Sequence, residues 1–102
     1  MEKIKAVSES DLQRASLLWI SLQHYADAHR VLTDSKLKYK IMFNQQTEEF
    51  FVGSWNHFQP FGSIVFDTEE IALQAIKEYR DELEWYFTDY SWKRMNPTVI
   101  QR

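Results

Sequence analysis

Cysteine is absent from this chain of 102 residues, which excludes disulfides, thiolate chemistry and any zinc site built from Cys. Glycine is nearly absent. The two present, Gly53 and Gly62, are too few for a phosphate-cradling loop, and no GxxxxGK[ST], HExxH or DxDxDG pattern occurs. Two prolines, Pro60 and Pro97, form no linker. The longest apolar stretch, Ala15 to Leu22, is interrupted by Ser16 and Ser21 and is too short to cross a bilayer. The opening Met1-Glu2-Lys3-Ile4-Lys5 lacks the apolar core of a signal peptide, so a cytoplasmic protein without membrane association is expected. Basic charge is also short: 12 Lys and Arg against 15 Asp and Glu leave a net −3, unlike a general nucleic-acid binder.

What remains is an ordinary globular composition, 44% hydrophobic and 26% charged, sized for one domain over residues 1–102. Aromatics are unevenly placed. Only Trp19 and Tyr25 precede Lys36, and the rest lie between Tyr39 and Trp92.

The local patterns predict the order αβββα. Ser8 and Asp11 are spaced as a capping box, and Leu12, Ala15, Leu18, Leu22 and Ala26 then follow helical spacing to about Val31. Leu17, Ile20 and Ala28 widen the apolar surface beyond one face, which implies a contact besides the helix's own core. From Leu37 to Phe43 the apolar residues alternate, as in a half-buried strand. Asn44 to Thr47 suits a turn, Glu49 to Trp55 a second strand, Gln59-Pro60-Phe61-Gly62 a type I turn, and Ser63 to Phe66 a short third strand. In the second strand both parities are apolar, so one pair of Phe51 and Trp55 or Phe50 and Val52 must look away from the helices. Asp67, with Glu70 closing its box, is expected to cap a last helix running to about Tyr90. The tail, 95–102, is expected to fray. The expected fold class is α+β: a three-stranded antiparallel meander over about 37–66, packed against a helix over about 67–90, with an N-terminal helix over about 10–31.

Chemistry is thinly represented. His24 and His29 are about 140° apart around a helix and do not chelate one ion, and His57 has no neighbouring carboxylate. The carboxylate pairs Glu48-Glu49, Glu69-Glu70 and Asp81-Glu82 fall where water reaches them, without the apolar pocket that raises an acid's pKa. No catalytic residue, metal or cofactor is expected.

Three surfaces stand out instead. Trp85, Tyr86, Phe87, Tyr90 and Trp92 surround every side of a helix. Trp85, Tyr86, Tyr90 and Trp92 are therefore candidate anchors for a protein partner, with Trp19 a candidate for self-association as a homodimer. Lys36, Lys38 and Lys40 share one strand face, and with Phe50 or Phe51 on that face they would form a basic-aromatic surface for single-stranded nucleic acid; the plainer explanation is an edge strand guarded by lysines. Eight acids against two basic residues between Asp67 and Asp89 could imitate a phosphate backbone, with Glu78, Asp81 and Glu82 as its face, or simply keep a helix solvated.

The segments Lys38-Tyr39-Lys40-Ile41, Phe50-Phe51-Val52, Phe61 to Phe66 and Asp67 to Ile76 together resemble a short C-terminal βββα module of uncharacterised small phage and prophage proteins of Gram-positive bacteria. The resemblance covers about half the chain and places strand ends and a helix cap. It implies a mobile-element origin and an accessory or inhibitory role exerted by binding a host or phage protein.

Overall fold

The computed structural model describes residues 7–32, 37–55 and 64–95. The turn at Gln59 to Gly62, His57, Lys36 and the tail after Met95 lie outside them. Helix α1 spans Glu9–Ala28. Its start is the capping box: the Asp11 N–H donates to Ser8 Oγ at 3.0 Å, and the Ser8 N–H donates to Asp11 Oδ2 at 3.1 Å. It stops at Ala28, short of Val31, because the next backbone is claimed elsewhere, the Val31 N–H donating to Asp67 Oδ2 at 2.9 Å.

Strands β1 (Lys38–Asn44) and β2 (Glu49–Trp55) pair antiparallel, with Ile41 opposite Val52 and Asn44 opposite Glu49. Asn44 organises the turn, its side-chain oxygen accepting from the Gln46 and Thr47 N–H groups at 2.9 and 3.1 Å. Glu48 closes it at φ 58°, a left-handed conformation that suits Gly or Asn better. Cross-strand partners share a face, so Phe43, Phe50, Ile41 and Val52 look toward the helices while Met42 and Phe51 look out. On the outer face Met42 lies across Gly53, where a Cβ would meet its sulfur at 2.5 Å.

The three-stranded meander is not what forms. Among the described residues the sheet has two strands. Of the expected third strand, Ser63 lies outside the described residues, and among 64–66 Phe66 alone pairs, with Tyr39 of β1 rather than with β2. Two bonds make this bridge, Tyr39 N–H to the Phe66 carbonyl at 2.9 Å and Phe66 N–H to the Tyr39 carbonyl at 2.8 Å. The next pairs along this ladder would be Ile41 with Ile64 and Leu37 with Thr68, and Thr68 already caps the next helix.

Helix α2 spans Glu69–Glu78. Its cap is Thr68, whose Oγ1 accepts from the Ile71 N–H at 3.1 Å, and not Asp67. The expected single helix to Tyr90 is also broken. Tyr79 leaves helical geometry at φ −111° and ψ 26°, α3 covers Arg80–Trp85, a π-helical turn covers Tyr86–Tyr90, and α4 covers Ser91–Met95. No Gly or Pro marks the break at Tyr79, whose ring meets that of Tyr25 edge-on at 6.0 Å. The π turn has visible causes. Ser91 donates both its N–H and its hydroxyl to the Tyr86 carbonyl, the latter at 2.8 Å, and the Thr88 hydroxyl donates to the Glu84 carbonyl at 2.6 Å.

The core forms where α1, α2 and the sheet meet: Leu18, Leu22 and Ala26 from α1, Phe66, then Ala72, Ala75 and Ile76 from α2 and Leu83 from α3. Ala72 and Ala75 are fully buried and let α2 lie close. No described helix is long and apolar enough to cross a membrane.

Candidate functional site

Asp67 is the most constrained polar group among the described residues. Its side chain is almost entirely buried, and it accepts from Arg30 Nη1 at 3.0 Å, Lys38 Nζ at 2.9 Å and the Val31 N–H. Burial alone would raise its pKa, but the bonds from Lys38, Val31 and Arg30 outweigh it and hold the carboxyl below the usual carboxylate range. Every lone pair that matters has a partner, so Asp67 is a fastener between the end of α1, the start of β1 and the entry to α2. It offers no vacancy for a substrate.

A second polar seam joins α1 to the C-terminal run. Arg14 grips Glu82 with two bonds, Nε at 2.9 Å and Nη2 at 2.6 Å, and lies 4.1 Å over the Trp85 ring. Lys93 Nζ reaches Asp11 at 3.0 Å. The Ser8 N–H first, then Lys93, lower the Asp11 pKa, and the Arg14 hydrogen bond does the same for Glu82.

Against this frame the expected anchors separate. Tyr90 is buried, its ring 5.2 Å from both Trp85 and Tyr86. Tyr86 is half-buried against the core, and Trp85 is half-buried under Arg14. Trp92 remains 50% exposed and Trp19 44%. The four C-terminal aromatics therefore form no single surface; two outward rings, on different helices, remain.

The basic-aromatic surface is assembled in part, with Phe51 and not Phe50 as its ring. Lys38 is bonded to Asp67, and Phe50, paired with Phe43, occupies the face opposite Lys38 and Lys40; Lys36 lies outside the described residues. Phe51 is the ring that shares the lysine face, with Met42. On the acidic helices, Glu78 and Asp81 are exposed while Glu82 is held by Arg14. Of the histidines, His29 stacks on Tyr25 at 4.1 Å and its Nδ1 lies 2.8 Å from the Tyr25 carbonyl.

What the structure does bring together is an apolar cleft of about 280 Å³ between α1, β1 and the start of the π turn. Leu18 and Leu22 form one wall, Ile41 and Phe66 the floor, and Leu83, Tyr86 and Phe87 the far wall, with Trp19 and Lys40 also lining it. Trp19 has two neighbourhoods, since it also borders the outward side of α1, where Leu12, Leu17 and Ile20 are each at least half-exposed. No family model, no curated protein and no solved structure matches this chain.

The cleft was not legible from the sequence, because its walls come from four separate segments. The outward aliphatic residues were half-signalled: Leu17 and Ile20 stand far around the helix from Leu18 and Leu22, which a plain helical projection displays. Among the described residues no cluster of three His, Asp or Glu converges on a point that could hold a metal ion.

Proposed function

We propose that this chain is a non-enzymatic protein-binding module that docks through the outward side of α1 and the cleft that Trp19 lines. The observation carrying this reading is the state of α1. Leu18, Leu22 and Ala26 already serve the core, yet the same helix presents Leu12, Leu17, Trp19 and Ile20 about half or more exposed. Scattered exposed leucines need no explanation, whereas four large apolar side chains left out on one helix, with Trp19 among them at a preformed apolar cleft, have the composition of a docking surface.

The resemblance of residues 38–90 to a phage module supplies the setting: an accessory or inhibitory protein of a mobile element, acting on a host or phage protein in the host cytoplasm. The nucleic-acid reading has weaker support, since Lys38 is engaged and Phe50 faces the helices. So has phosphate mimicry, since Glu82 is engaged by Arg14.

The test is affinity capture with the full chain from Gram-positive host cells. A defined protein should be retained by the wild type and lost by a Leu17→Ser, Trp19→Ala variant whose circular dichroism is unchanged. Identical captured sets for the two would overturn the reading.

A further inference from the structure

Strand β2 has a second edge, and no strand among the described residues pairs with it. The sheet places β1 on one side of β2, and residues 64–66 run beside β1, on the opposite edge of the sheet. What the free edge presents follows from Tyr39. That residue exchanges both backbone bonds with Phe66, so its N–H and C=O point away from β2. Its partner Ser54 must then point away from β1. Alternation turns the N–H and C=O of Phe50, Val52 and Ser54 outward, a row of donors and acceptors that repeats about every 6.8 Å.

Edges of this kind are normally guarded by a charge, a proline or a bulge. Between Phe50 and Ser54 there is none: the stretch holds no charged residue and no proline, and its pairing with β1 runs without an extra residue. The strand is also within reach, since Ser54 is exposed and Phe51 is 46% exposed.

We infer that this edge takes an extended segment of another protein as an added strand, antiparallel to β2. Only an extended backbone repeats its own N–H and C=O at the spacing of the row, whereas a helix has already used its own. The surface is separate from the one on α1, because no residue of β2 lines the cleft.

Charge decides between another protein and a second copy. Glu48 and Glu49 are exposed where the edge begins. Glu84 is near, bonded to Arg80, whose guanidinium lies 5.4 Å from the Phe50 ring. The run from Asp67 to Asp89, on the helix side of the sheet, holds eight acids against two basic residues. Pairing β2 with β2 of a second copy keeps the helices of both on one face of the joined sheet. Two acidic runs would then lie side by side. A segment with an apolar middle and lysine or arginine among its outward residues meets the same charge favourably.

The sequence of β1 already fits β2 antiparallel and carries two lysines, so a capped peptide copying residues 38–44 is the probe. In the full chain, hydrogen exchange followed by NMR should find the Phe50, Val52 and Ser54 N–H groups fast and those of Phe51 and Gly53, bonded to β1, slow. The peptide should slow the first three by about tenfold; displacement of β1 by the peptide would leave them fast and overturn the inference. N-methylation of the peptide at its copies of Ile41 and Phe43, whose N–H groups would meet β2, should weaken binding about tenfold. Methylation at its copies of Lys40 and Met42, which face away, should change binding less than about twofold. Glutamate in place of both lysines should weaken it about fivefold, and by less at high salt. Slow exchange at Phe50, Val52 and Ser54 in the dilute free chain overturns the inference, as does a peptide indifferent to where it is methylated. Protection of those three that grows with the concentration of the chain alone gives the edge to a second copy and overturns it too.

Discussion

Helix α1 and the run from Glu69 to Met95 were built from opposite materials and ended in opposite states. The run is rich in rings and looked like an exposed surface, yet Tyr90 is buried, Tyr86 and Phe87 pack on the core, and Trp85 lies under Arg14. Helix α1 draws its apolar surface mainly from aliphatic residues, more of it than one core needs, and it leaves Leu12, Leu17, Trp19 and Ile20 in solvent. The difference is geometric. The run breaks at Tyr79 and takes a π turn, so its side chains depart from a regular stripe and more of them turn inward. Helix α1 is unbroken for 20 residues, and a straight helix can present only one side to one core.

The comparison is sharpest at Leu83, 2% exposed in α3. Leu83→Ala should cost about 2–5 kcal/mol in chemical denaturation, as buried leucine truncations do. Leu17→Ala, at concentrations where the chain is monomeric, should stay within about 0.5 kcal/mol. Equal losses would erase the distinction between the two helices.

Next in size is the fastener that joins them. Asp67→Asn removes the charge that Arg30 and Lys38 share and should cost about 2–3 kcal/mol. The pH dependence follows from the same group. Its pKa is lowered in the folded chain, so its contribution is complete above the carboxylate range of the unfolded chain and is lost as pH falls through the folded value. Acid titration of stability should therefore show a flatter low-pH limb in Asp67→Asn than in the wild type; parallel limbs would remove Asp67 from that role.

Trp85 and Trp92 divide the C-terminal rings. Trp85→Ala should cost about 1–2 kcal/mol through lost packing on Arg14 and Tyr90. Trp92→Ala should change stability by less than about 0.5 kcal/mol. Thermal melts of the two variants read this directly, and a reversed order would place the outward ring in the wrong helix.

The smallest effect concerns the starts of the two helical regions. Ser8→Ala and Thr68→Ala each remove one cap bond and should each cost about 1 kcal/mol, visible as similar shifts in the denaturation midpoint.

How far these outcomes could be foreseen depends on the range of the interaction. The Ser8–Asp11 box, the α1 register and the alternation of β1 were legible, because each is decided within a few residues. The third strand was not: alternation at Ile64 and Phe66 tells which face a residue takes but not which neighbour it meets, and Phe66 meets Tyr39 of β1 rather than β2. The cap moved from Asp67 to Thr68 for a similar reason, since a distant lysine and arginine compete for the Asp67 carboxylate. Nothing in the composition of Glu78 to Asp81 announces the break at Tyr79. Of the candidate site, Trp19 and the doubled apolar surface of α1 could be read, and the cleft could not, because it is a product of how the segments assemble.

The π turn at Tyr86–Tyr90 amounts to one residue more than a regular helix would hold there. Deleting one of those five would restore the ordinary repeat, and because the π turn absorbs its extra residue within itself, Lys93 and Trp92 would keep their sides of the helix. A single-codon deletion there should therefore be borne far better than one inside α1, where no extra residue is stored and everything downstream would rotate by about 100°.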